Sequence, residues 1–500
     1  MKHLTRRDVL RIAAAAGVSL PFADQLVATA LAAPTGTYDD GNTDIPGHIT
    51  GDPERVIIVG AGWAGLTAAN ALRNAKVDHV VLEGRGRVGG RCHPVTLGGY
   101  AVDLGCSWIH GPIGNPMAQF ADQAGVKRSN GNVEEDSPII RMFDSVLGHN
   151  VDFTDKMNAL GRAFQFAELD SATIADSLPP TASVRDGAAV FCSNYGITGD
   201  VRRYFETVTR MLSEFTFGTH WSKLSLVRWA YANSESTYQG TGEGDFPVGT
   251  YRPLLRAIAG PEPVRLRHTV TSVAIRGRHV EVRGDSGGSS FVERGSHVLV
   301  TVPLGVLKSG AIRFEPGLPQ AQRAAIAKTG FGDVEKLVMV FDTPFWNDAT
   351  HTHIIHQAKT ELLDFPWWLD LYRCHGIPAI NAFTGGPFAT QLGKLPRAER
   401  LERALQRFGE ILGHDIPQPR AYAATSWRRD PFSRGSYTAM LNGSSNDDLD
   451  AIGVPLGGRI LFAGEATNRA RHSTADGALS TGVREAKRLL RAPSVTLSAG

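Results

Sequence analysis

Three glycines and one carboxylate carry the first chemistry in this sequence. Gly60, Gly62 and Gly65 form G-x-G-x-x-G directly after the apolar run Val56–Val59, and Glu83 ends a second run, His79–Leu82. Gly60 turns the chain sharply off the strand. Gly62 leaves no side chain between the backbone and a pyrophosphate, and Gly65 lets a helix pack close to the sheet. The spacing predicts that helix over Trp63 to Asn74. Its N-terminus faces the phosphate charge, and Glu83 accepts from ribose hydroxyls. The glycines alone are a common pattern. Set between a strand and a helix, with an acid at the expected distance, they point to a dinucleotide.

The next residues choose the dinucleotide. Read alone, Arg85, Arg87 and Arg91 make a solvated basic loop. Joined to the fingerprint, Glu83 to Arg91 reads E-x-x-x-R-x-G-G-R. This resembles the flavoprotein amine oxidase superfamily. The resemblance implies FAD, with Arg85 and Arg91 among its binding residues, Arg91 near the pyrophosphate and the Gly89-Gly90 backbone close to the flavin. Leu104 to Gly111, L-G-x-S-W-I-H-G, is similar to a loop of the polyamine-oxidase branch that lines the flavin and an amine tunnel. There His110 falls near the substrate nitrogens; without the motif it reads as a structural histidine.

Further positions take roles from the same resemblance. Lys336 opens an apolar run to Phe341, where an isolated lysine is a solvated strand cap. The family places a lysine here that holds a water against flavin N5. Trp427 to Tyr437 resembles W-x-x-D-P-x-x-x-G-x-Y, which implies Trp427 on the flavin region and Tyr437 facing the catalytic cavity; the alternative is ordinary core aromatics. Backbone around Val270 is implied to hold the adenine. In the block Gly458 to Thr467, Gly464 and Glu465 are implied to contact the ribityl and phosphate region, and the helix that follows aims its N-terminus at the flavin. Two departures matter. Covalent members carry a cysteine where this chain has Ser436, so FAD is expected to be non-covalent. Thr474 stands where other branches carry an aromatic; it belongs with both the catalytic and the cofactor-binding residues and leaves Tyr437 without a partner, which favours longer amines.

The implied reaction is amine oxidation. A neutral monoamine or polyamine gives a hydride to flavin N5, the imine hydrolyses, and O2 reoxidises the flavin to yield H2O2. An L-amino-acid oxidase of the same fold is the alternative, but it needs a cation for the substrate carboxylate, and Cys92 to Ile109 contains no Arg or Lys. A flavin-binding protein without turnover is the second alternative; Lys336 and the intact C-terminal block argue against it.

These residues need elements to hold them. A length of 500 residues exceeds one simple domain. The predicted fold is α/β: a split FAD-binding Rossmann-like domain over 53–133, 245–310 and 425–493, and a substrate domain of helices over 134–244 and a mixed sheet over 311–424. The net charge of +2 carries no block of like sign, and no apolar run reaches membrane-spanning length, so neither nucleic acid nor a bilayer is an expected partner. No metal-ligand spacing occurs. Thr5-Arg6-Arg7-Asp8-Val9-Leu10-Arg11 resembles a twin-arginine export motif, with Ala30-Leu31-Ala32 as a cleavage site, so 1–32 reads as a signal segment and 33–52 as a linker. The expected location is periplasmic or extracellular; a helical arm with a chance arginine pair is the alternative. Cys92, Cys106, Cys192 and Cys374 are all expected to be free.

Overall fold

The computed structural model describes residues 45–112, 114–128, 140–232, 249–261, 263–346, 353–357 and 362–499. The signal segment lies outside them. The first strand, Arg55–Val59, is buried from Val56 onward. It pairs in parallel with Asp78–Leu82 on one side and with His297–Val300 on the other. Ile460–Phe462 and Val264–Arg265 complete a five-stranded parallel sheet. Strands covered on both faces read as continuous apolar runs, which is how these short segments appear in the sequence.

Two helices cover one face. Trp63–Asn74 follows the first strand, and Ala475–Leu490 packs along it. Their approach is set by glycine. A Cβ on Gly65 would meet the Gly60 carbonyl oxygen at 1.9 Å, and one on Gly482 would meet that of Ala64 at 2.4 Å. A second sheet, ordered Ser289–Gly295, His279–Ser286, His268–Arg276 and Arg313–Glu315, lies beyond. Its register shifts between Val270 and Ser272, a bulge that bends the strand.

Among the remaining described residues, besides two short two-stranded pairs, is a seven-stranded mixed sheet backed by helices. Its order is Ala421–Ala424, Val334–Val340, Ala379–Gly385, Trp367–Asp370, His353–Gln357, Ile140–Asp144 and His149–Asn150. The last two strands correct the expectation of a purely helical stretch after 134. Met142 packs into the helical core and Phe143 into the core behind the sheet, so the strand is apolar on both faces and lacks simple alternation. The helical core holds Phe166, Phe191, Phe205, Trp221 and Trp229. The helix Gly199–Arg210 runs on through a wide π turn, Met211–Phe215. Such turns recur at functional sites, and this one reaches the cavity described next.

Candidate active site

A cavity of about 1070 Å³ lies between the parallel sheet and the mixed sheet. At one end it is lined by Thr269, Val270, Glu83 and the glycine turn. Gly60 holds φ +110, and no side chain caps the helix at Gly62, which leaves its first-turn N–H groups to the cavity. A Cβ on Gly62 would touch nothing within 4 Å, so the backbone there stands open to a ligand. Glu83 is buried; one carboxylate oxygen accepts from the Ala61 amide at 2.8 Å and the other from the Arg85 amide at 2.8 Å. The carboxylate therefore fixes the loop as well as facing the cavity. Arg85 bonds Asp430 and Ser433, both at 2.8 Å.

Midway, Gly89 at φ +97 and Gly90 at φ +58 bring bare backbone to the wall. Arg91 donates to Glu465 at 2.8 Å and to the Ser436 carbonyl at 2.8 Å. Burial pushes the Glu465 carboxyl up, but the Arg91 charge and bonds outweigh it and hold it below the usual range. Its other oxygen accepts from the Ser473 amide at 2.7 Å. Gly464, at φ +126, donates its amide to Thr481.

The far end carries Lys336. Its strand, Val334–Val340, is paired on both sides, by Ala421–Ala424 and Ala379–Gly385, and the side chain turns inward rather than capping the strand in solvent. Nζ donates to the Gly105 carbonyl at 2.6 Å, to Ser107 Oγ at 2.6 Å and to the Asp103 carbonyl at 3.3 Å. It lies 5.3 Å from the Phe383 ring centre and 5.6 Å from that of Trp108. Burial lowers the ammonium and raises the Asp103 carboxyl, and each charge moderates the other's shift. Trp108, Trp367 and Phe383 stack along this end, and Phe215 meets Trp367 edge-on. His110 opens onto the cavity, stacked on Trp108; its enclosure among the cavity walls and then the Arg471 charge lower the ring's hold on a second proton. Tyr437 and Trp427 line the same space. The Tyr437 hydroxyl donates to the Thr216 carbonyl at 2.7 Å, and burial raises the phenol so that it stays protonated. Thr474 also lines the wall, but its hydroxyl caps the C-terminal helix, accepting from the Gly477 amide at 3.0 Å.

A model described as flavin containing amine oxidoreductase matches residues 63–490. The chain belongs to this family. Among its relatives, a lysine-specific histone demethylase 1 homolog 2 from Oryza sativa subsp. japonica is 32% identical over 462 residues, 89% of this chain and 58% of that protein. This chain thus spans little more than half the length of its demethylase relatives. Polyamine oxidase 3 from the same plant is 30% identical over 444 residues, covering 86% of this chain and 88% of the relative. The structure of a putrescine oxidase redesigned in its cofactor binding superimposes with a TM-score of 0.68 at 21% identity, covering 87% of this chain and 99% of that one.

The family's flavin fits this site. The open backbone at Gly62, the bare Gly89-Gly90 segment and the unbroken cavity from Val270 to Lys336 suit a long, flat, phosphate-bearing group. Every residue given a binding or catalytic role from the sequence, except Gly65, lines this one cavity; Gly65 lies behind it, against the Gly60 carbonyl.

The expectation of four free cysteines fails at two. Cys92 and Cys106 form a disulfide with a Cα–Cα distance of 5.1 Å, while Cys192 and Cys374 carry thiols. A separation of 14 matches no motif, and only the fold brings the two segments together. They approach so closely that a Cβ on Gly105 would meet the Arg91 carbonyl at 1.7 Å. Sequence reasoning also missed the three acceptors of Lys336. Ser107 lies inside the Leu104–Gly111 motif and was the one available signal.

Proposed function

We propose that this protein oxidises a C–N bond of a small-molecule amine, with FAD held non-covalently and O2 as acceptor, giving an imine and H2O2. The observation that carries this reading is Lys336, a buried ammonium in the aromatic end of the cavity that begins at the glycine turn. FAD, when bound, supplies the two-electron acceptor at its N5. The aromatic walls favour an amine that has shed its charge, because a lone ammonium leaving water for an apolar space is strongly disfavoured. Neutral His110 can accept from the amine N–H. Trp427 and Tyr437 exclude bulk water from the reacting centre. Lys336 keeps its proton at Nζ, and its 3.3 Å contact to the Asp103 carbonyl is the weakest of three, the one a water can replace. That water serves imine hydrolysis or reoxidation.

The amino-acid alternative needs a free cation in the cavity. Arg471 reaches it but is paired with Asp476 at 2.6 Å, so it is not a ready clamp for a carboxylate. Anaerobic addition of amines to the flavin-loaded protein tests the proposal: monoamines or polyamines should bleach the flavin band and, with O2, release H2O2. Bleaching by amino acids alone, or by nothing, overturns it. For the non-covalent cofactor, Ser436 Oγ is engaged with Val334, accepting from its amide at 2.7 Å and donating to its carbonyl at 2.8 Å. Acid precipitation should leave the FAD in the supernatant. We also propose twin-arginine export from the Arg6-Arg7 motif; replacing both by Lys should retain the protein in the cytoplasm, and continued export would sink the idea.

A further inference from the structure

We propose that the Cys92–Cys106 disulfide is a positioning strut that fixes the cradle of Lys336, so that its reduction slows turnover while the flavin stays bound. The inference rests on the role given to Lys336 above. Cys106 sits between the two residues whose oxygens receive Nζ at 2.6 Å, the Gly105 carbonyl and Ser107 Oγ. Its partner follows Arg91, at the end of the glycine-rich segment that runs along the cofactor end of the cavity. On that side the strut is anchored three times, once by the Arg87 guanidinium, which donates to the Cys92 carbonyl at 3.2 Å. The Cys92 amide donates to the Gly89 carbonyl at 2.9 Å, and the Trp63 indole donates to Cys92 Sγ at 3.1 Å.

The cradle segment has other ties at its ends. The Leu104 amide donates to the His93 carbonyl at 3.0 Å, and the Tyr251 hydroxyl donates to the Trp108 carbonyl at 2.8 Å. Opening the disulfide therefore leaves the loop in place and frees its centre, where the two strongest acceptors of the ammonium lie. Misplacement of a catalytic group by about 1 Å can cost ~100-fold in rate. A loosened but tethered cradle should cost less, about tenfold.

A small dithiol performs the opening. Its thiolate attacks one sulfur of the Cys92–Cys106 bond, its second thiol closes a ring, and the products are the oxidised dithiol and two cysteine thiols. An oxidant of the disulfide class reverses it.

The test uses the flavin-loaded protein. Without reductant, the denatured chain should react with a thiol reagent at two cysteines, Cys192 and Cys374, and after reduction at four. Four reactive thiols in the untreated protein would refute the strut. Dithiol treatment followed by desalting should lower kcat about tenfold, leave KM and flavin absorbance unchanged, and be rescued by reoxidation. The C92S/C106S variant should match the reduced protein and lose its response to dithiol. In a Lys336→Met background the same pair of substitutions should add nothing. An equal further loss there, a fall in flavin content, or an unchanged kcat in the reduced protein would each overturn the proposal. Lys336→Met with wild-type turnover would instead remove the role of Lys336 itself, an outcome distinguishable from the others.

Discussion

At the scale of single residues, several charges of the site hold each other in pairs. Arg91 and Glu465 hold each other inside the cavity wall. Removing one partner of such a pair strands the other, at a cost of about 3 kcal/mol. Arg91→Met should therefore lower the denaturant midpoint and release flavin on gel filtration, and an unchanged midpoint with full occupancy would show the pair to be dispensable. Glu83 is a different case, since its carboxylate binds the Ala61 and Arg85 amides besides facing the cofactor end. Glu83→Ala removes charge-assisted bonds worth ~1.5–3 kcal/mol. Flavin affinity should fall roughly tenfold or more, read by dilution and gel filtration. Lys336→Met keeps length and removes charge. With full flavin it should lose on the order of tenfold to a thousandfold in turnover, as when one preorganised donor is deleted. Stopped-flow traces that keep wild-type rates in both half-reactions would end its catalytic assignment.

At the scale of elements, backbone contact decides where side chains are forbidden. The glycine-loop helix approaches the sheet at Gly65 and the C-terminal helix at Gly482, each against a carbonyl oxygen that cannot swing aside. Gly65→Ala should displace the helix N-terminus and yield protein without flavin. Gly482→Ala should part the two helices and lower stability. Full flavin absorbance in the first variant would show that the loop yields more easily than the geometry implies. These elements were legible in the sequence because glycine spacing, apolar runs and the acid at Glu83 are local signals. The strand Ile140–Asp144 was not, since packing on both faces erases its period of two. The disulfide and the cradle of Lys336 were hard to read for another reason: both depend on a loop crossing, and beyond the place of Ser107 in its motif nothing within either segment encodes its partner. Thr474 was legible as an absent aromatic, but its use as a helix cap follows from the turn before it, where Ser473 takes φ 70.

At the scale of the whole molecule, a buried carboxyl behind the site couples stability to pH. Glu335 titrates near 8 in the folded protein, chiefly because burial disfavours its charge, with Thr425 opposing and Asp333 adding to the shift. The unfolded chain releases the same proton near 4.5. Between these values the folded state holds a proton that the unfolded state lacks, so this group makes stability fall as pH rises. Glu335→Gln keeps the shape without the charge. Its melting temperature should vary less than that of the parent between about pH 5 and 8, and parallel curves would show that another group governs the slope. The parallel sheet has a consequence of its own. Its central strand pairs with His297–Val300, which in turn pairs with Ile460–Phe462. During synthesis the glycine turn emerges early, yet the neighbours that flatten and brace it emerge hundreds of residues later. At roughly 5–20 residues per second, a ribosome leaves the nascent cofactor cradle open for tens of seconds with an unpaired apolar edge. A chaperone that binds extended apolar segments has that interval in which to act.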